Sequence, residues 1–441
     1  MIPASALFDQ STMAALLEYD PLVQDYRAFF ALFDWSLVQD WQAHRSSRGR
    51  PPHPESAYLK AFLIRIREGM SSTSHLRRFL LKHPLLVIEL GFHLELDPTA
   101  PYGFDAEQTL PCEQWLRAKL RTLDRVLLQA LLVATVTALQ EEIPGLGETV
   151  AFDVKHIYAW VKQNNERVYS KDRYDKTQRL AGDPDCRLGV KRSTNQEQPD
   201  GSTTEKKELL WGYGTGVAVS TMAEYGTVVL AEYTQPFNEG DITYFRPVYR
   251  QAVLALHHYP TYLTADAAYD AWYVYEAAAR HGGIAAVPLN QHRKTPFARL
   301  PDGTPRCPIG LPMYPTTQFN HPNGYRAQRF QCPLLFPEPT ETTCDHEQFI
   351  KGRGCVKDGN WELGGIQRVT LDREGPLFHA LYNERTGCER VNARAKELGI
   401  ERPRVRNGRS VANLNTLIYV IVNVRVLEKA KSINKQLLQI H

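Results

Sequence analysis

The sequence has little cysteine for its length, seven in 441 residues. The seven show no dense, even spacing, which excludes a disulfide framework and fits a reducing cytoplasm. Nothing at the start resembles a signal peptide. Long uninterrupted apolar runs are missing too. Val126–Leu139 is shorter than the roughly 18 residues a span needs, and Val411–Leu427 is broken by Asn413, Asn415, Asn423 and Arg425. Both read as buried core helices, and no membrane partner is expected. Internal repeats are absent. Net charge is small, +3, so the molecule as a whole is not a polycation.

What is present is the balance of a globular protein, 43% hydrophobic and 23% charged residues, with length for two or three domains. The charge is uneven. From Arg385 onward there are 12 Lys and Arg against 4 Asp and Glu, a local net of +8, which leaves −5 for the rest. Such a basic end is either a polyanion surface or a solvated helix face.

Four segments follow from the patterning. Residues 1–143 read as helical, with apolar residues at helical spacing and a helix start at Pro54, Glu55 and Ser56. Residues 144–292 read as strands, then helix, strand, helix, strand, which is α/β. Within them, the polar stretch "STNQEQPDGSTTEKKE" reads as a mobile loop. Residues 293–361 are rich in Pro and Gly and read as an irregular insertion holding Cys307, Cys332, Cys344 and Cys355. Regular patterning returns over 362–441.

Three acids stand out. Asp153 ends the strand pattern "TVAFD" and Asp266 ends "TYLTAD". A carboxylate at the C-terminal end of a strand lies where open α/β sheets place their sites, although a lone Asp there also serves as a turn or cap. Glu389 lies in "YNERTGCERVNARAKELG", where Tyr382, Arg385, Glu389 and Lys396 would fall within roughly 60° of one another on a continuous helix. Two strand-end acids and a helix Glu form a hard-oxygen set that suits two Mg²⁺ or Mn²⁺ ions and in-line phosphodiester displacement.

The spacing Tyr382-x2-Arg385-x3-Glu389-x6-Lys396 resembles, without a gap, the Y-(2)-R-(3)-E-(6)-K signature of bacterial insertion-sequence transposases of the DDE type. "AFDVKHI" resembles that family's first-Asp strand, and "LTADAAYDAWYVYEAA" its second-Asp segment. "GRPPHPESAYLKAFLIRIREGMSSTSHLRRFL" is similar to its helical N-terminal region. The resemblance is weakest over about 160–205 and 293–361.

The resemblance implies an RNase H-like catalytic core behind a helical DNA-binding region, with Asp153, Asp266 and Glu389 as ligands of two Mg²⁺ or Mn²⁺ ions. It implies cleavage at terminal inverted repeats of double-stranded DNA and attack of the freed 3′-hydroxyl on target DNA. A homodimer on DNA, associated with the nucleoid, follows from the need to handle two ends. Arg385 and Lys396 would hold phosphates, and Tyr382 would stack on a base or bond a phosphate. Arg390 joins this set. Trp361 is the candidate for stabilising a flipped base, with a core position as the alternative.

Other features carry two readings each. Arg402, Arg404, Arg406 and Arg409 either track a DNA backbone or solubilise a loop. The four insertion cysteines either bind zinc, with His321 and His346 as further ligands, or are small buried residues; they contain no C-x2-C pair. His156 reads as a structural residue near Asp153. Asn238, Glu239 and Asp241 read as a helix cap. The rival functions are a catalytically silent DNA-binding descendant, against which the intact acids argue, and an RNase H-like nuclease without strand transfer.

Overall fold

The structure is a computed structural model that describes residues 10–38, 52–197, 203–290 and 298–440. The chain divides into two compact units. One comprises Met1–Leu146, Asp153–His257 and Gly387–His441, the other Gly147–Phe152 and His258–Thr386. This differs from the four segments expected. The N-terminal helices share a unit with the strands after Asp153 and with the C-terminal helix.

The first unit opens on helices α1 Gln10–Tyr19, α2 Pro21–Phe30, α3 Glu55–Arg67, α4 Thr73–Lys82, α5 Pro84–Leu90, α6 Ala106–Thr109, α7 Glu113–Thr122 and α8 Arg125–Glu142. Their starts follow local chemistry. Asp20, Ser72 and Asp124 each accept a hydrogen bond from a first-turn amide, at 2.9, 3.2 and 2.8 Å. Pro54 precedes α3 as its sequence suggests. Strand β1, Thr149–Tyr158, lies in this unit from Asp153 on and neighbours β3.

Strands β2 Arg187–Glu197, β3 Thr203–Met222 and β4 Gly226–Pro236 form an antiparallel ladder with β3 in the middle. Most of the stretch expected as a mobile loop is therefore the β2–β3 hairpin, in register Lys191↔Glu208 and Ser193↔Lys206. Its centre, 198–202, lies outside the described residues. Ladder pairing uses backbone groups that every residue carries, so a polar composition conceals it. Helix α9, Ile242–Leu256, follows. Asp241 stands at its N-cap, but no side-chain capping bond is made there.

The last long helix of this unit, Gly408–Ile440, called α15 below, is its spine. It is long and apolar enough to cross a membrane, yet 94% of its most apolar stretch is buried. The asparagines that interrupt its sequence are buried with partners. Asn423 accepts from the Val229 amide at 2.8 Å, and donates to the Val229 carbonyl at 2.8 Å and to Thr135 at 2.9 Å. This lies at a β-bulge where Ala218 faces Ala231 and Val219 faces Val229, leaving Leu230 as the extra residue.

Glu232 on β4 is fully buried. Its carboxylate accepts from Thr416 at 2.6 Å, Gln129 at 2.7 Å and Arg125 at 3.1 Å. One carboxylate thus joins β4, α8 and α15, whose partners lie far apart in sequence.

In the second unit the first part of β1 pairs in parallel with β5, Tyr262–Thr264, in register Thr149↔Tyr262 and Ala151↔Thr264. β5 pairs in parallel with β6, Ile284–Ala286. Between these two strands runs α10, Trp272–Ala279. The expected irregular insertion begins outside the described residues, at 293, and then carries an antiparallel sheet. Its strands are β7 Tyr314–His321, β8 Tyr325–Gln331 and β9 Val356–Asn360, with a short α11, Glu347–Ile350, before β9.

Helix α12, Leu363–Thr370, then packs on α10. A Cβ on Gly364 would lie 2.3 Å from the Trp272 carbonyl oxygen, so only glycine permits this approach. Gln367 on α12 pairs with backbone groups at β6, accepting from the Ala285 amide at 3.2 Å and donating to the Gly283 carbonyl at 2.8 Å. Helix α13, Pro376–Asn383, completes the unit. Helix α14, Thr386–Glu397, passes back into the first.

Replacing Glu232 with Ala should lower the unfolding free energy by about 3–5 kcal/mol, because Arg125, Gln129 and Thr416 lose a shared buried acceptor. Urea titration followed by circular dichroism checks this; an unchanged midpoint would remove the carboxylate from its place in the core.

Candidate functional site

The signature residues do not share one helix. The chain breaks at Glu384 and Arg385, between α13, which carries Tyr382, and α14, which carries Glu389 and Lys396. The break is local chemistry. The amides of Glu384 and Arg385 donate three residues back, at 3.2 and 3.1 Å, and Thr386 Oγ1 donates to the Asn383 carbonyl at 2.8 Å. The single face expected over 382–396 is therefore corrected.

In the first unit, α14 is seated on the β3–β4 hairpin. A Cβ on Gly387 would lie 2.2 Å from Thr221 Oγ1, so the contact requires glycine. Arg390 reaches Thr221 and Thr227 at 3.3 and 3.5 Å. One turn after Glu389, Asn392 donates to Asp153 Oδ2 at 3.0 Å. This bond ties the β1 carboxylate to the helix that carries Glu389, and Glu389 itself is exposed.

Asn392 was not singled out by sequence reasoning. Its place three residues after Glu389, on the same helical side, was the available signal. Lys396 pairs with Glu401 at 3.3 Å, and Lys155 on β1 pairs with the same acid at 3.1 Å. Burial would raise the Glu401 carboxyl, but these two ammonium groups hold it below the usual range.

His156 packs its ring 4.5 Å from Phe237. Burial, with Lys191 and Lys155 nearby, pushes it down to about 4, so it is neutral at pH 7. The guanidinium of Arg402 lies 4.3 Å from the Tyr158 ring centroid, and that of Arg406 lies 4.9 Å from the Trp160 ring centroid. Arg404 is exposed, and Arg409 donates to the Leu123 carbonyl at 3.4 Å. Trp160 is a second residue that sequence reasoning passed over. It is 48% exposed and lies two residues beyond the end of the strand that carries Asp153.

In the second unit Asp266 follows β5 and accepts from the Ala268 amide at 2.9 Å, so one oxygen also caps the short turn Ala267–Tyr269. Asp270, four residues on, has a buried side chain. It receives Arg368 through two bonds at 2.6 and 2.5 Å, with Tyr275 and the Asn290 amide at 2.9 Å each. Burial alone would raise its carboxyl. Arg368 and the other donors hold it below the usual carboxylate range.

Tyr382 stacks on Phe378 at 5.8 Å, and Arg385 lies over its ring at 5.7 Å. Trp361 packs edge-on to Phe330 at 5.1 Å, within a cluster of Cys307, Met313 and Cys355. Cys332 and Cys344 pack with Leu334. Burial, with Cys332, Cys307 and Cys344 nearby, pushes Cys355 up to about 11, and its Sγ is 3.7 Å from His346 Nδ1. His321 lies apart from these contacts, stacked on Tyr325 at 4.5 Å. Among the described residues, no three His, Cys, Asp or Glu side chains form a metal-holding group.

A family model described as the transposase DDE domain matches residues 189–424, more than half of the chain, and the chain belongs to that family. It is thus a transposase, a class that cleaves DNA and transfers strands. The matched stretch contains Asp266 and Glu389 and begins beyond Asp153. Among solved structures, a piggyBac transposase synaptic complex with hairpin DNA is similar at a TM-score of 0.30 and 10% identity, over 94% of this chain and 79% of that one. That likeness is too distant to carry weight. No curated protein matches.

The Arg368–Asp270 pair should show in the acid stability of the protein. A carboxyl held below its unfolded value contributes stability that is complete above about pH 4 and is lost as pH falls through the folded pKa. The difference in unfolding free energy between wild type and Asp270→Asn should therefore stay level from neutral pH down to about 4 and shrink below it. A difference that instead grew toward low pH would contradict the pairing.

Proposed function

We propose that the chain is an insertion-sequence transposase that binds terminal inverted repeats, cuts at the element ends and joins the 3′-hydroxyl ends to target DNA. In this reading Asp153, Asp266 and Glu389 hold two Mg²⁺ or Mn²⁺ ions. The donor set fits hard divalent cations, being all carboxylate oxygen with no thiol or imidazole. Such ions supply Lewis acidity and a nucleophilic oxygen at neutral pH.

The observation that carries the reading is the Asn392–Asp153 bond, which fixes the β1 carboxylate against the helix of Glu389. The order of elements also suits an RNase H-like core. Strands β2, β3 and β4 form an antiparallel ladder, β1 pairs in parallel with β5 and β5 with β6, and helices α9 and α10 precede β5 and β6 in the chain.

The chain's own residues would then divide the work. Asp153, Asp266 and Glu389 would bind the cations, and Asn392 would hold Asp153 in orientation. Arg385 offers a forked donor to phosphate oxygens, Arg390 adds a further cation, and Lys396 offers a point charge that Glu401 positions. Two element ends call for two copies of the chain on DNA.

The test is cleavage of labelled duplex carrying the gene's own flanking sequences, with Mg²⁺. Asp153→Asn, Asp266→Asn and Glu389→Gln should each abolish cutting while binding persists. Asn392→Ala should slow cutting by about 10–100-fold, as loss of a ligand's supporting hydrogen bond does. Near-normal cutting by any of the three acid variants would remove that acid from the site. Specific binding without cutting by wild type, in Mg²⁺ and Mn²⁺ alike, would instead indicate a silent DNA-binding descendant. Cutting without strand joining would indicate a nuclease.

A further inference from the structure

The first unit contains a cleft of about 630 Å³ that the signature residues do not touch. Its walls come from the start of α4, from α7, from Trp160 and from the segment 404–407. Arg65, Arg117, Arg121, Arg404 and Arg406 line it, and among the described residues no carboxylate does. Five cations converging without an acid in the wall attract a polyanion. Arg117 is partly compensated, by Glu113 at 3.2 Å beside the cleft.

Arg65 is the informative residue. It is only 3% exposed, and its guanidinium is oriented by backbone, with Nε donating to the Met70 carbonyl and Nη2 to the Ser71 carbonyl at 3.2 Å each. Its Nη1 is buried with no hydrogen-bond partner among the described residues. A buried donor on a cation is costly to leave unmet. Burial pushes this guanidinium down to about 10, so it stays charged at neutral pH.

The ten-residue α4 starts in the same cleft, where Ser72, Thr73 and Ser74 line the wall. The first-turn amides and the positive end of the helix dipole favour an anion there. Trp160, with Arg406 over its ring, supplies an open aromatic wall against which a sugar or base edge can lie.

We infer that this cleft binds the phosphodiester backbone of one strand of duplex DNA, with a phosphate held by Arg65 and the start of α4. The inference rests on the transposase reading and assigns Arg65, Arg121, Trp160 and α4 to DNA contact. It joins the N-terminal helices and the basic C-terminal segment in one binding surface. Backbone contacts of this kind carry no sequence information; they hold register and orientation.

The experiment is fluorescence anisotropy of the full chain with two labelled duplexes, the gene's flanking sequence and an unrelated one, across about 50–200 mM salt. Arg404→Ala/Arg406→Ala should lower the slope of log affinity against log salt by about 1 for each phosphate no longer neutralised, and weaken both duplexes alike. Arg65→Lys, which keeps the charge but loses the fork, should weaken both duplexes with little change of slope.

A slope equal to wild type in the double variant overturns the assignment. So does an equal drop in Lys429→Ala/Lys431→Ala, which removes the same charge elsewhere on the unit. Inorganic phosphate that raises the wild-type melting temperature, but not that of Arg65→Lys, with unchanged DNA slopes, marks a free-anion site and also overturns it. Failure of wild type to bind either duplex would sink the transposase reading itself. Wild-type cutting of the flanks with unchanged slopes would sink only the cleft.

Discussion

A single buried carboxylate organises the first unit. Glu232 has no exposed surface, and its oxygens are shared among Arg125 and Gln129 of α8 and Thr416 of α15. An isolated carboxylate in that position would be strongly disfavoured, so the strand that bears it must have both helices in place. Asn423 acts in the same way one bulge earlier on β4, satisfying both backbone groups of Val229. An apolar α15 would pack as tightly but would not fix its register against the strand.

With β4 and α15 set, the hairpin that ends β3 and begins β4 becomes the seat for α14. Gly387 admits Thr221 at a distance that any side chain would forbid, and Arg390 reaches the two threonines of the hairpin. Asn392 then meets Asp153. The orientation of the carboxylate proposed to hold a cation is thus obtained from a chain of contacts that starts in the core. In the second unit the equivalent anchor is Asp270, which Arg368 locks four residues after Asp266.

The basic character of the C-terminal segment has an uneven use. Lys396 pairs with Glu401 while staying exposed, Arg402 lies on Tyr158, and Arg409 bonds the Leu123 carbonyl. Arg404 and Arg406 line a cleft with arginines from the N-terminal helices. A charge count along the sequence treats all five alike. Their surroundings distinguish a structural cation from one that faces a cleft.

Several features were legible without coordinates because they are local. The helix start at Pro54 and the presence of strands around Thr149 and Tyr262 depend on neighbouring residues and appear as expected, but Asp153, expected at a strand end, lies in the middle of β1, and β5 ends two residues before Asp266. The DDE transposase family expected from the sequence agrees with the family match, which bears on the family and not on the spacing at 382–396 itself. The helix face drawn from that spacing was not local. Asn383, Thr386 and Gly387 break the helix, and Gly387 is placed by a hairpin more than 160 residues away.

The β2–β3 hairpin and the sheet of the insertion were hidden for a related reason, because backbone pairing leaves little mark on polar sequences. The sequence alone thus determined the family and the class of those elements whose pattern is local, but not the polar hairpin or the sheet of the insertion. Tertiary structure alone decided which carboxylate meets which helix, which tryptophan faces solvent and which arginine is buried without a counter-ion among the described residues. Those outcomes depend on desolvation and on distances between residues remote in the chain, and neither is encoded in any one segment.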